Sequence, residues 1–288
     1  MRIAAALGDI ELVSLDSMQV YRGMDIGTAK PSAADQAAVP HHLIDVVDPW
    51  DSWSAARTQS IAREAVADIE QRGLRALLVG GTGLYLQAVV DHFDFPGEDL
   101  ELRALLDAEV STQSGLTAAY ARLQGADPVA ASRIEPGNAR RIVRALEVMQ
   151  VTGKPFSAQG AGVGAYGETV FPVRIAGMSE TSENLTVRIA ARFSTMRAAG
   201  LVDEVRTLAE NPNGWSRAAQ QAIGYKEVLS HFAKGGLSLD EAFDLAVRRT
   251  RKFARRQRVW FRRDPRIEWF DAKMGDLEAQ LMAFWSRP

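Results

Sequence analysis

Between residues 248 and 266 the sequence carries ten arginines and lysines and one acid, Asp264. Arg248, Arg251, Arg255, Arg258 and Arg262 recur every three or four positions, which places them on one stripe of a helix. Like charges at that spacing repel by roughly 0.2–0.5 kcal/mol per pair. A polyanion relieves the repulsion and releases its own counterions, so the segment favours a nucleic-acid partner. Phe243, Val247, Thr250, Ala254, Gln257 and Phe261 form a second stripe, suited to packing inward. Trp260 and Phe261, beside the arginines, stack on bases or simply pack. An ordinary solvated face interleaves acids with its bases; this one does not.

A second group sits near the N-terminus. Ile10 to Leu15 reads as a short strand, and Asp16 follows it directly. In open α/β sheets the ends of strands are where ligands bind. A carboxylate there accepts a proton or holds the water shell of a metal; equally, it caps a turn. Arg75 to Val79 is another apolar strand, and Gly80-Gly-Thr-Gly83 turns it into a helix. Backbone N–H groups at such a helix start attract phosphate, although tight glycine turns at strand–helix junctions are common. His41 and His42 are adjacent, so on an extended segment they face opposite ways, and a structural role is expected. The run from Gly162 to Gly167 matches G-x-G-x-x-G literally. No strand precedes it and no ribose-binding acid follows, so a loop is the better reading.

The elements that must position these groups follow from pattern and composition. The chain has 288 residues, 47% of them apolar and 24% charged, as in a globular protein with a sizeable core. It has no cysteine, which excludes disulfides and thiolate metal sites. No run is long enough for a signal peptide or a membrane helix, so a soluble cytoplasmic protein is expected. Net charge is −2, but without the 248–266 segment 24 basic and 35 acidic residues remain, a net −11. A basic segment thus sits on an acidic body. Strands alternating with helices imply a mostly parallel sheet over 1–93 and 168–288, with strands again at Thr169 to Ala176 and Ile267 to Phe270. From 94 to 167 only helical periodicity appears, as in the stripes Leu102, Leu105, Leu106 and Ile142, Leu146, Met149; this reads as a helical insertion. Arg22 to Pro40 reads as loop.

Six runs together resemble the tRNA dimethylallyltransferases (isopentenyl-diphosphate:tRNA transferases). They are DSMQVYRGMDIGTAKP from Asp16, VPHHLID from Val39, VGGTGLY from Val79, RIVRALE from Arg141, QAIGYKE from Gln221 and RQRVWFR from Arg256. They occur in family order across nearly the whole chain, and the first is long and highly specific. The resemblance implies an α/β core like that of the P-loop NTPases, with a helical insertion domain. It implies transfer of a dimethylallyl group from dimethylallyl diphosphate to N6 of the adenosine beside the tRNA anticodon, with Mg²⁺ as cofactor, by a monomer. Family members open with a strand and a phosphate loop, G-x-x-x-x-G-K-[ST]; these 288 residues contain neither, and the only Gly-Lys pair, Gly153-Lys154, precedes proline. The expectation is therefore an N-terminally truncated chain, impaired in chemistry, whose Met1 to Gly8 resembles the tail of the following helix.

By resemblance Asp16 is the general base, Thr82 contacts the diphosphate leaving group, Arg192 offsets its charge and Arg188 assists. Family tRNA contacts map onto Asp16, Ser17, Met18, Gln19, Thr82 and Arg103. They map also onto Arg140, Arg141, Ile142, Val143 and Arg144, and onto Gln221, Ala222, Ile223, Gly224, Tyr225 and Lys226. The last set is Arg255, Arg256, Gln257, Arg258, Val259, Trp260, Phe261 and Arg262. No protein residue is assigned as a metal ligand. Two other readings stand beside this one: a tRNA-binding protein without catalysis, and a small-molecule adenylate isopentenyltransferase or nucleotide kinase. A free nucleotide has no need of the basic helix or of the arginines at 140–144, which disfavours the last.

Overall fold

The computed structural model describes residues 1–158 and 163–286. Gln159 to Gly162, and with them the first glycine of the G-x-G-x-x-G match, lie outside the described residues. The chain forms two compact units: Met1–Asp91 with Glu168–Pro288, and His92–Gly167.

The first unit begins with α1 (Arg2–Leu7), closed by Gly8 at φ 74°, a left-handed cap that glycine adopts without strain. Next come β1 (Ile10–Ser14), α2 (Ala33–Ala38), β2 (His41–His42), α3 (Ala55–Gln71), β3 (Arg75–Val79) and α4 (Gly83–Val90). The second unit holds α5 (Leu100–Glu109), α6 (Gln113–Ala126), α7 (Pro128–Arg133) and α8 (Ala139–Thr152). The chain then returns to the first with β4 (Ile175–Ser179), α9 (Ser182–Ala198), α10 (Leu201–Ala209), α11 (Tyr225–Phe232), α12 (Leu239–Phe261), β5 (Ile267–Asp271) and α13 (Leu277–Trp285).

β1 is flanked by β2 and β3, all parallel, and every one of its five residues is buried, as expected of a strand covered on both faces. β4 and β5 form a second parallel pair. The start of β3 and the start of β4 meet the same end of α13: Arg75 Nη1 donates to the Trp285 carbonyl (3.4 Å) and Arg174 Nη1 to that of Phe284 (3.0 Å). Each strand keeps one edge without a ladder partner among the described residues. Arg75 N and Val79 O bond toward β1, so Ala76 and Leu78, which alternate with them, turn their backbone groups the other way. Ser179 O bonds toward β5, which leaves Ala176 and Met178 facing outward by the same rule. A cleft of about 1370 Å³ lies between these edges, lined by Leu77, Leu78, Phe171, Met178 and, at the strand ends, Thr82 and Phe261.

Three expectations change. Thr169 to Ala176 is not one strand: regular pairing starts only at Ile175, and Thr169 makes an isolated bridge to Asp91. Pro172 has no N–H to give a ladder. Arg22 to Pro40 contains α2, held by a capping box in which Ser32 and Asp35 satisfy each other's backbone. Leu105 is exposed, while Leu102 and Leu106 pack into the core of the second unit with Ile142, Leu146 and Met149.

Candidate active site and nucleic-acid interface

Asp16 leaves β1 beside the point where Gly80 leaves β3, since a Cβ on Gly80 would stand 2.8 Å from the Leu15 backbone. Its Oδ1 accepts the Met18 N–H (2.8 Å) and the Gln19 N–H (3.3 Å), while Oδ2 has no partner among the described residues. The turn-capping role and the free-carboxylate role thus coexist in one side chain. Gln19 is committed: Ser14 Oγ donates to its Oε1 (3.1 Å), and its Nε2 donates to the Thr28 carbonyl (3.3 Å). The loop beyond is clasped from two sides. Lys30, its side chain 3% exposed, donates through its ammonium to the Tyr21 carbonyl (2.8 Å) and pairs with Asp45 (2.6 Å) and Asp25. Glu204 of α10 accepts the N–H groups of Asp25 (3.1 Å), Ile26 (2.8 Å) and Gly27 (3.3 Å), together with the Tyr225 hydroxyl. A Cβ on Gly27 would overlap the Tyr225 ring, which explains the glycine. Burial and the adjacent Glu204 charge push the Tyr225 hydroxyl pKa far upward, so it stays a donor.

Thr82 is the N-cap of α4, yet its hydroxyl makes no capping bond and has no hydrogen-bond partner among the described residues. Behind it the glycines exclude side chains for a different reason from backbone strain. Cβ atoms on Gly81 and Gly83 would overlap Gln257 and Trp260 of α12. Gln257 Nε2 donates to the Gly81 carbonyl (2.8 Å). The basic helix is therefore docked on the glycine turn. Tyr85, one turn into α4, is pushed by burial to about 12, with the Asp16 charge adding to the shift.

The cations of α12 and of the turn that follows it divide by what faces them. Arg249 pairs with Glu227, which is 1% exposed. Arg266 pairs with Asp264 (2.8 Å) and Asp91 (2.5 Å). Arg258 donates to Ser182 Oγ (3.1 Å). Arg248, Arg251, Lys252, Arg255, Arg256, Arg262 and Arg263 are exposed and have no acidic partner among the described residues. Trp260 packs on Gly83, Phe261 is half-buried in the cleft wall, and Val259 is exposed.

Other expected residues fall differently. Arg192, on the third turn of α9, lines a separate cleft of about 690 Å³ with Lys30, Asp25 and Asp45, whereas Thr82 lines the larger one. Ten residues of helix, about 15 Å, separate Arg192 from the start of α9. It is exposed and without an ion pair among the described residues; Arg188 pairs with Glu180 (3.5 Å). Ala222, Gly224 and Tyr225 are buried, Ile223 is half-buried, and the exposed Lys226 donates to Gln221 Oε1 (2.7 Å). In the second unit Ile142 and Val143 are core residues, 0% and 1% exposed, because they lie on the apolar stripe of α8. Arg144 (2.9 Å) and Arg103 (3.6 Å) both hold Glu147, which is fully buried and also accepts the Asp99 N–H (3.2 Å). Arg140 and Arg141 are exposed and unpaired among the described residues. His41 bonds the Val39 carbonyl and His42 bonds Glu11, on opposite sides of β2, so both are structural.

Sequence reasoning missed Glu204, Lys30 and Glu147. Glu147 had a signal, lying three residues after Arg144 on one helix; Glu204 had none, standing 177 residues from the glycine it caps. Among the described residues no three His, Asp or Glu side chains converge as a metal site, and no helix is long and apolar enough to cross a membrane.

Comparison with known proteins meets this geometry. Residues 19–264 match the family model described as IPP transferase. A tRNA dimethylallyltransferase of Salinispora tropica is 48% identical over 95% of this chain and 84% of its own length; that of Streptomyces coelicolor is 46% identical over 95% and 86%. Among solved structures, the tRNA isopentenylpyrophosphate transferase of Bacillus halodurans aligns with TM-score 0.69 at 36% identity, covering 99% of this chain and 89% of that one. A eukaryotic dimethylallyltransferase, solved acting on tRNA, aligns with TM-score 0.80 at 27% identity over 98% and 73%.

Proposed function

Since the chain belongs to the IPP transferase family, we propose that it transfers a dimethylallyl group from dimethylallyl diphosphate to N6 of the adenosine beside the tRNA anticodon. In that reaction N6 bonds to the allylic carbon, the carbon–oxygen bond to diphosphate breaks with its electron pair leaving on oxygen, and N6 sheds one proton. An adenine amine is barely basic, so the proton needs a positioned acceptor. Asp16 fits: Oδ1 fixes the carboxylate through two backbone N–H groups, and Oδ2 remains open.

The leaving diphosphate needs donors where its charge grows. The Thr82 hydroxyl and the backbone N–H groups at the start of α4 supply them. Arg192 lines another cleft, so its part is that of an unneutralised charge rather than a contact. Mg²⁺ on a diphosphate takes most ligands from phosphate and water and only one or two from protein. The Thr82 hydroxyl, which makes no capping bond, suits that role, and the ion would neutralise the developing charge.

The acceptor adenosine must leave its stack to reach Asp16, so the substrate is a splayed anticodon stem-loop whose phosphates meet the unpaired arginines of α12. Arg140 and Arg141 are the exposed arginines of the second unit proposed for the same task. The protein works as a monomer in the cytoplasm, with its tRNA. The observation that carries the reading is the juxtaposition of a free carboxylate oxygen and a free threonine hydroxyl at the ends of adjacent parallel strands, under the acid-free, arginine-rich C-terminal part of α12. Single-turnover prenylation of an anticodon stem-loop tests it. Asp16→Asn is expected to slow the chemical step by about 10²–10⁴-fold while RNA affinity stays put. Equal rates in parent and variant would remove Asp16 as the base.

A further inference from the structure

Phe253 lies on α12 in the middle of a run with no acid, from Leu245 to Arg263, and the residue is 37% exposed. A single exposed apolar residue is ordinary on a protein surface. What sets Phe253 apart is its company. The Arg256 guanidinium lies over the ring, 5.6 Å from its centroid, and the exposed cations around it, Lys252 and Arg255 among them, have no acidic partner among the described residues. Phe253, Gln257 and Trp260 follow one another at spacings of four and three, so they lie along one stripe of the helix. Gln257 holds Gly81 and Trp260 packs on Gly83, which ties that stripe to the turn carrying Thr82. Seven residues of helix put Phe253 about 10 Å from Trp260.

An aromatic face with a guanidinium plane beside it, set among unneutralised cations, is the chemistry that binds an unstacked nucleobase next to held phosphates. We propose that Phe253, with Arg256, is a stacking platform for one unpaired base of the RNA, a base other than the acceptor adenosine, which must go to Asp16. The inference rests on the tRNA reading given above. It adds a contact of a different kind from the phosphate contacts, and that difference makes it separable. Stacking releases few counterions, so its loss lowers affinity by the same factor at every salt concentration. Removing an arginine that neutralises a phosphate also flattens the salt dependence.

The experiment measures binding of the full chain to an anticodon stem-loop at several salt concentrations, with circular dichroism confirming that each variant is folded. Phe253→Ala is expected to weaken binding about 5- to 150-fold with an unchanged slope of log affinity against log salt. Phe253→Leu, which keeps an apolar side chain of similar size, is expected to lose as much, and Phe253→Tyr to restore it. Stem-loops carrying single 2-aminopurine substitutions locate the base, whose fluorescence changes on binding the parent chain and stays constant on binding the Phe253→Leu variant. Binding of Phe253→Leu within twofold of the parent would overturn the platform while leaving the tRNA reading intact. A parent chain that binds no RNA at any salt overturns both.

Discussion

Arg144 of α8 and the arginines of α12 look alike as sequence, yet the structure uses them in opposite ways. Arg144, with Arg103 from α5, surrounds Glu147, a carboxylate with no exposure at all. Around α12 the buried acids Glu227 and Asp264 pair with Arg249 and Arg266, and the other arginines of the segment have no acidic partner among the described residues. The difference teaches that an arginine's work is decided by whether a buried carboxylate faces it. A buried ion pair does little net stabilising, but it commits both partners, because removing one strands the other. An arginine with no such partner keeps its full charge for a ligand.

The largest effect expected from this contrast is on stability. Glu147→Gln should destabilise the second unit by about 3–5 kcal/mol, the cost of breaking a buried pair. The lower end is favoured because Arg103 and Arg144 retain 32% and 20% exposure and can rehydrate. Amide exchange along α8 under mild denaturant reads it. A loss under about 1 kcal/mol, well below that range, would mean that the two arginines are not committed, and the contrast with α12 would collapse.

Next in size is the converse experiment. Arg255, Arg256 and Arg262, changed together to glutamine, should leave the melt nearly unmoved, since surface substitutions typically cost within about 0.5 kcal/mol each. RNA affinity should fall, and its salt slope should flatten by roughly 0.7–0.9 log units for each phosphate that is no longer neutralised. An unchanged slope would make the stripe a solvated face.

The two halves of this contrast were unequally legible in the sequence. β1, β3 and α12 could be read because apolar runs and helical periodicity are local, and the arginine stripe is a matter of spacing alone. The box of Ser32 with Asp35 was local too, and marked a short helix inside what read as loop. The commitments of individual side chains were not readable. Arg103 finds Glu147 across 44 residues, and Glu204 reaches Gly27 across 177. No periodicity records such meetings. Ile142 and Val143 show the cost: a resemblance carries them over as part of a binding run, while the apolar stripe of α8 puts their side chains in the core. Trp260 could stack or pack, and only the glycine it covers decides for packing.

A third arginine tests whether the partner or the unit matters. In the first unit Arg72 holds Glu11, 6% exposed, which also bonds His42 (2.6 Å). The Arg72 hydrogen bonds, reinforced by that of His42, hold the Glu11 carboxyl at about 2, against an ordinary 4.5. A depressed carboxylate adds stability that is fully present above the unfolded value and is lost as protonation proceeds. Urea denaturation should therefore show stability declining from about pH 4.5 down through about pH 2, and Glu11→Gln should flatten that part of the curve. An identical acid limb in the variant would mean that Arg72 is not committed, whatever its geometry.

Arg258 stands on the border between the two classes, so the smallest effect is expected there. Its partner is the Ser182 hydroxyl (3.1 Å), a neutral acceptor that holds the guanidinium without cancelling its charge. By the argument above, Arg258 belongs with the free arginines. Ser182→Ala removes one hydrogen bond, worth roughly 0.5–1.5 kcal/mol, and should leave the salt slope of RNA binding unchanged. Ser182→Asp is the sharper variant. Ser182 is the first residue of α9, where an acid is favoured by the helix dipole, so the fold should accept it. It would give Arg258 the carboxylate it lacks and flatten the slope by roughly 0.7–0.9 log units, the effect of one phosphate. If the aspartate left the slope untouched, a facing carboxylate would not suffice to withdraw an arginine from the RNA, and burial of that carboxylate, as at Glu147, would have to be the deciding condition.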